Sequence, residues 1–148
     1  MSYKITSTKK AYIAGFLDGD GSIYVRLKPN STYRYGFQVA PYVIFFQAQK
    51  ERQNFEKICS YTGLGYMRER KDGILEYTIN RQEAIYKLLK AIKPCLVLKQ
   101  KQAELMLKIL DKKKTIDDRN DFRELMMLIE KFRQLNYSKK RKRRKLTP

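Results

Sequence analysis

An α+β fold is predicted: a four-stranded, curved antiparallel sheet with helices packed on one face, in the order αββαββα. Three observations in the 148 residues predict it. Runs that alternate apolar and polar residues come in two pairs. Helical runs precede each pair. The second pair is joined by Lys71-Asp72-Gly73, whose Asp-Gly step signals a hairpin and hence antiparallel pairing.

Thr6, Ser7 and Thr8 offer N-caps to a helix over Lys9 to Leu17, which is apolar on every side and therefore buried in a core or an interface. Asp18-Gly19-Asp20-Gly21 is expected to end it. Ser22 to Lys28 alternates, with Ile23, Val25 and Leu27 on one side and Tyr24, Arg26 and Lys28 on the other, as in a half-buried strand. Pro29-Asn30-Ser31 opens a loop. Gln38 to Ala48 is the second strand, and Pro41 inside it implies an edge or a bulge. Lys50 to Tyr61 reads as a helix stopped by Gly63. Strands over Leu64 to Arg70 and Ile74 to Asn80 flank the hairpin turn. Asn80-Arg81-Gln82-Glu83 resembles a capping box for a helix over Gln82 to Lys90. Pro94 is expected to start a helix over Cys95 to Leu110, and Asp121-Phe122-Arg123-Glu124 to cap a last one through about Leu135. The length fits one domain over residues 1–138, followed by a basic tail at 139–148.

The chain has 33 Lys+Arg against 15 Asp+Glu, a net charge of +18, which points to a polyanionic partner. Seven of those charges are the run Lys139 to Lys145; the remaining +11 make the folded body basic in its own right. There is no histidine, which excludes Ser-His-Asp and Cys-His machinery, histidine-based nuclease sites and His-ligated zinc. Two cysteines, Cys59 and Cys95, cannot make an all-cysteine zinc site, and both are expected reduced and packed. The first twenty residues carry neither a signal-peptide nor a transit-peptide pattern, and no apolar run reaches membrane-spanning length. An intracellular protein with no membrane partner and no small-molecule substrate is expected.

Gly15 and Gly19 lie four apart on the first helix and share a face, where two small residues let another backbone approach. Asp18 and Asp20 follow at the helix C-terminus, where the macrodipole disfavours carboxylates. A divalent cation with hard oxygen ligands would compensate for them; so would an Asx turn at a helix cap.

The string Ala11-Tyr12-Ile13-Ala14-Gly15-Phe16-Leu17-Asp18-Gly19-Asp20-Gly21-Ser22 closely resembles the signature of LAGLIDADG homing endonucleases. Ser22 to Lys28, Gly63-Leu64-Gly65-Tyr66 and Leu98-Lys99-Gln100-Lys101-Gln102-Ala103 are similar to that family too, so the resemblance covers residue 8 to about 140. One motif in so short a chain resembles the single-motif, homodimeric, intron-encoded subgroup, familiar from algal organelles. The resemblance implies a homodimer joined through the motif helices at Gly15 and Gly19, with Ala11 and Tyr12 beside them. It implies Asp20, with the Gly19 carbonyl, as the metal ligand, and Mg2+ as the metal, with Ca2+ or Mn2+ substituting. Gln47 matches a residue that positions the attacking water, and Lys99 one that faces developing phosphate charge; without the family, Lys99 reads as an ordinary exposed lysine. Where the family places a basic residue four positions after Gln47, this chain has Glu51, and Lys50 or Arg52 could substitute.

The resemblance also implies that the sheet face opposite the core reads double-stranded DNA, and a β-ribbon fits the major groove. Tyr24, Arg26 and Lys28 lie on that face of the first strand, with Asn30 and Tyr33 in the loop after it. Gln38, Tyr42 and Ile44 lie on the second strand, Arg68 and Arg70 on the third, Thr78 and Asn80 on the fourth. Ile44 and Phe46 are odd on a solvated face: they either meet thymine methyls or pack under the loop after Pro29. Lys139, Lys140 and Lys142 read as phosphate contacts, the rival being a nuclear localisation signal. The implied activity is metal-dependent, site-specific cleavage of a pseudo-palindromic duplex, serving intron mobility in an organelle. The alternatives are a DNA binder that has lost cleavage and an RNA-binding intron maturase.

Overall fold

The computed structural model describes residues 3–136, so the basic run, with Lys139, Lys140 and Lys142, lies outside the described residues. Helix α1 is Ser7–Asp20, capped by the Thr6 hydroxyl, which accepts from the Lys9 N–H at 3.3 Å. It does not stop at Leu17: its last turn takes in Asp18, Gly19 and Asp20, and the Gly21 N–H closes it on the Leu17 carbonyl. Within one chain it is buried on one side only. Ile13, Ala14 and Leu17 face the core, while Ala11, Tyr12, Gly15 and Gly19 form an exposed stripe.

Strands β1 (Gly21–Pro29), β2 (Phe37–Ala48), β3 (Tyr66–Glu69) and β4 (Ile74–Ile79) make one antiparallel sheet in the order β1-β2-β4-β3. The expected alternation holds: Ile23 and Val25 are buried while Arg26 and Lys28 are exposed. Pro41 sits in an inner strand and makes no bulge, since the register runs unbroken through Val25↔Pro41. The proline is tolerated because β4 pairs with β2 only from Val43 onward. At Pro41 one flank of β2 is open, and the missing N–H can point there without breaking the ladder. The β3–β4 hairpin turns where expected, with Gly73 at φ 84° and the Asp72 carboxylate accepting from the Ile74 N–H.

A short 3-10 helix, Gln49–Glu51, leads into α2 (Arg52–Ser60), and Gly63 follows at φ 62°. Helix α3 is Gln82–Ile92, and its N-cap is Arg81 without a side-chain cap bond, so the expected capping box does not form. Pro94 belongs to a separate 3-10 helix, Lys93–Cys95, and α4 begins only at Gln100, running to Lys114. Cys95 is therefore exposed rather than packed; Cys59 is buried, and both thiols are free. Helix α5 is Arg119–Asn136, starting before the expected cap because Asp118 accepts from the Asp121 N–H at 2.8 Å.

The helices cover one face of the sheet. Ile13 and Leu17 of α1 meet Ile23, Val43, Phe45 and Ile79 of the sheet in a core completed by α3, α4 and α5. Helix α5 runs antiparallel along β1. Its Phe122 stacks on Tyr35 of the β1–β2 connection, and its Asn136 amide donates to the Ile23 carbonyl at 2.8 Å. Among the described residues no helix is long and apolar enough to cross a membrane.

Candidate active site and nucleic-acid interface

The two carboxylates at the end of α1 have different fates. Asp18 Oδ2 accepts the Val97 N–H at 2.8 Å and Asp18 Oδ1 accepts the Lys99 N–H at 2.9 Å. The Lys99 ammonium donates to the Asp18 carbonyl at 2.8 Å. Asp18 thus fixes the start of α4 from 81 residues away, and both of its carboxylate oxygens are engaged. Those bonds explain why α4 starts at Gln100. They also hold Val97 and Leu98, 81% and 72% exposed, beside the end of α1. Asp20 is exposed, and among the described residues its carboxylate has no hydrogen bond or ion pair.

Lys99 is half-buried. Burial holds its ammonium below the ordinary lysine value, opposed by the Asp18 and Asp20 carboxylates. It is thus no ordinary exposed lysine, unlike Lys101. Gln47 lies two residues past Phe45, the partner of Gly21, so it sits at the end of β2 nearest the end of α1. Its Oε1 accepts from the Ala48 N–H at 2.8 Å, which identifies that atom as the oxygen and leaves Nε2 as a donor. Arg52 donates to Glu69 at 2.8 Å and lies 3.4 Å from Glu56. Glu51 accepts from the Asn54 amide at 3.0 Å. Among the described residues no group of three or more acidic, His or Cys side chains gathers as a metal would require.

The exposed stripe of α1 has an odd feature. A Cβ built on Gly15 or Gly19 would meet nothing within 4 Å. Glycine in an exposed helix costs about 1 kcal/mol relative to alanine. Among the described residues nothing repays that cost at either position. Tyr12, 50% exposed, lies on the same stripe, edge-on to Tyr61 at 6.0 Å.

The sheet face away from the helices is arranged in cross-strand rows. Lys28 pairs with Gln38, Arg26 with Ala40, and Tyr24 with Tyr42. The next row is Ser22, Ile44, Thr78 and Tyr66, followed by Phe46, Glu76 and Arg68. The Tyr24 and Tyr42 rings stack at 4.9 Å, and Lys28 stands 5.6 Å from the Tyr42 ring. Burial, then Tyr42, raises the Tyr24 phenol above its ordinary value, so it stays protonated. Arg68 lies 3.5 Å from Glu76, and Arg70 is bonded to Asp72 at 2.6 Å. Ile44 and Thr78 are on the expected face but only 5% and 6% exposed, so they floor the surface rather than project from it. Parity is a local property; the bulk of cross-strand neighbours decides burial. The Asn30 carboxamide oxygen accepts from the Thr32 N–H and hydroxyl, so only its NH2 group is free for readout. Tyr33 and Asn80 are exposed. Sequence reasoning missed two members of this face, exposed Tyr66 and half-buried Glu76. Both share the parity of Arg68 and Thr78, which was signal enough to find them.

A family model described as LAGLIDADG endonuclease matches residues 13–110. The DNA endonuclease I-CreI of Chlamydomonas reinhardtii is 34% identical over 143 residues, 96% of this chain and 87% of that protein. The DNA endonuclease I-CvuI of Chlorella vulgaris is 31% identical over 133 residues, covering 90% and 83%. A crystal structure of I-CvuI bound to an I-CreI target with 2 mM Mg, the DNA not cleaved, has a TM-score of 0.82 at 30% identity, covering 90% of this chain and 85% of that one.

Proposed function

This chain belongs to the LAGLIDADG endonuclease family, and from that premise we infer a site-specific homing endonuclease that cuts both strands of a long DNA duplex as a homodimer. The observation that carries the reading is the exposed Gly15–Gly19 stripe ending in an unpaired Asp20. A second copy related by a twofold axis would pack backbone against backbone there, which is what two glycines permit. Val97 and Leu98 add apolar surface beside it. At the end of α1 one chain offers one free carboxylate, Asp20, whereas two strands require two, and the symmetry supplies the second.

The donor set fits a divalent cation only at that axis. Asp20 and the Gly19 carbonyl would hold it together with their symmetry-related copies and phosphate oxygens, all of them hard ligands. I-CvuI structures determined with Mg and with Ca support a divalent cation; Mg2+, with Ca2+ or Mn2+ substituting, is the assignment proposed. When bound, the cation supplies charge neutralisation and Lewis acidity at the phosphate. Gln47 Nε2 orients the attacking water by donating to its oxygen. The Lys99 ammonium, held against α1, offsets charge that develops on the phosphate. With no histidine in the chain, the water's proton must pass to another acceptor.

On the sheet face, Arg26, Lys28, Gln38, the Tyr24–Tyr42 pair, Arg68 and Arg70 read base edges in the major groove, with Asn30, Tyr33 and Asn80 at the ends of their strands. Each half-site spans about one helical turn. Lys139, Lys140 and Lys142 are assigned to phosphate contacts. The role proposed is intron mobility in an organelle, which rests on the single-motif resemblance.

Asp20→Asn is expected to abolish cleavage of a duplex selected from a randomised library with Mg2+, while binding persists. Cleavage by that variant would overturn the assignment. A second reading, a DNA binder with weak cleavage, is favoured by Glu51 and by the engagement of Arg52 with Glu69, which leaves the exposed Lys50 as the one remaining substitute for the family's basic residue. Retention of the selected duplex by the unaltered chain without cuts would support it.

A further inference from the structure

A second basic feature lies outside the sheet face. Where the β1–β2 connection meets the start of α5, a cavity of about 360 Å³ is lined by Arg34, Tyr35, Arg119, Phe122 and Arg123. Its floor is the Tyr35–Phe122 stack, with ring centroids 4.7 Å apart and an interplanar angle of 21°. Its rim is three exposed guanidiniums, with Arg34 standing 5.2 Å from the Tyr35 ring. Among the described residues none of the three has a carboxylate within ion-pair distance. Of the nearby acids, Asp118 takes the Asp121 N–H and Asp121 takes the Asp117 N–H and Lys112, while the exposed Asp117 carboxylate is within ion-pair distance of none of the three arginines. Two of the arginines sit in the first turns of α5, where the macrodipole repels cations. The Tyr35 hydroxyl is buried and has no hydrogen-bond partner, unlike the other buried side-chain polar atoms among the described residues.

Three unpaired guanidinium forks lining one cavity make a receptor for a phosphate-type anion. The position identifies its source. The connection that carries Arg34 and Tyr35 continues directly from Lys28 and Gln38, the last row of the sheet face. That row lies at the end of β1 far from Gly21 and Asp20, so the cavity lies at the outer end of each half-site, beside Asn30 and Tyr33. We propose that Arg34, Arg119 and Arg123 clamp backbone phosphates of the DNA flanking the recognised site. The clamp rests on the endonuclease reading but adds a contact without base specificity outside the readout face.

The experiment compares two duplexes carrying the target selected from a randomised library. One is trimmed to its outermost selected base pair; the other is extended at each end by unrelated sequence. Binding is measured across a salt series with Ca2+. The unaltered chain should bind the extended duplex tighter, and with a steeper salt slope by about 0.9 per added phosphate contact. Arg119→Ala/Arg123→Ala should remove that gain, lowering affinity for the extended duplex by roughly tenfold or more, whatever the flanking sequence. Affinity for the trimmed duplex and the selected target should not change. Equal binding of both duplexes by the unaltered chain overturns the clamp, as does a variant that keeps the gain. Arginine-dependent binding of pyrophosphate with no effect of duplex length would also overturn it, making the cavity a small-anion site. Failure of the selection to yield any bound duplex sinks the endonuclease reading and the clamp together. Cleavage of a selected duplex without a flank effect sinks the clamp alone.

Discussion

Asp18→Ala and Asp20→Ala remove the same group two residues apart and should have opposite consequences. Asp18 receives two backbone N–H groups, from Val97 at 2.8 Å and Lys99 at 2.9 Å. A hydrogen bond to a charged group contributes about 1.5–3 kcal/mol, and loss of a helix cap costs about 1 kcal/mol. Water can replace part of this at the exposed Val97, so Asp18→Ala should cost about 2–4 kcal/mol. Asp18→Asn keeps one acceptor oxygen and should cost about half as much. Asp20 carries no such bonds, and Asp20→Ala should change stability by no more than about 0.5 kcal/mol. Urea denaturation at one fixed protein concentration separates them, because dimerisation makes stability concentration-dependent. With a slope of about 2 kcal/mol per molar urea, the Asp18→Ala midpoint falls by about 1–2 M and the Asp20→Ala midpoint stays in place. Amide exchange should show loss of protection in the first turn of α4 for Asp18→Ala alone. Equal midpoints for the two alanine variants would refute the division of labour between the two carboxylates.

Gly15→Ala/Gly19→Ala should leave the chain folded, because each added Cβ meets open space, yet shift it from dimer to monomer in sedimentation velocity. The pH dependence of cleavage should show Lys99. Burial sets its folded value below the ordinary lysine value, and the ammonium and its help to the phosphate are present below that folded value. Both are lost as alkaline pH passes the lowered value, earlier than for an exposed lysine. Lys99→Arg, if it cleaves, should lose that alkaline fall, and an unchanged profile would count against the role of Lys99. The thiols should differ as well. Burial pushes the Cys59 thiol up to about 12, whereas Cys95 is exposed. At pH 8 a thiol reagent should modify Cys95 alone in the folded protein, and both cysteines in urea.

The order of elements was legible from local pattern. Alternation in Ser22 to Lys28, the Asp72-Gly73 turn and Gly63 after α2 each depend on residues a few positions apart, and each appears where expected. The faces assigned by parity in the first two strands also hold. Asp20, Gly15 and Gly19 were likewise legible, because the motif that holds them is contiguous.

Tertiary structure decided what depends on distant partners. The start of α4 could not be read from Pro94, because the acceptor that fixes it is Asp18 on α1. For the same reason the sequence shows two equivalent acids where the fold leaves one free. Ile44 and Thr78 had the right parity but no exposure, since the packing of neighbouring strands determines how much of a side chain reaches solvent. Arg34, Arg119 and Arg123 share no local pattern and meet only because α5 lies along β1. The sequence by itself determined which elements form and which face the residues of β1 and β2 take, because helix and strand periods are set by neighbouring residues. Only the fold decided which polar groups are satisfied and which stay free to meet DNA and metal, because a hydrogen-bond partner can come from anywhere in the chain.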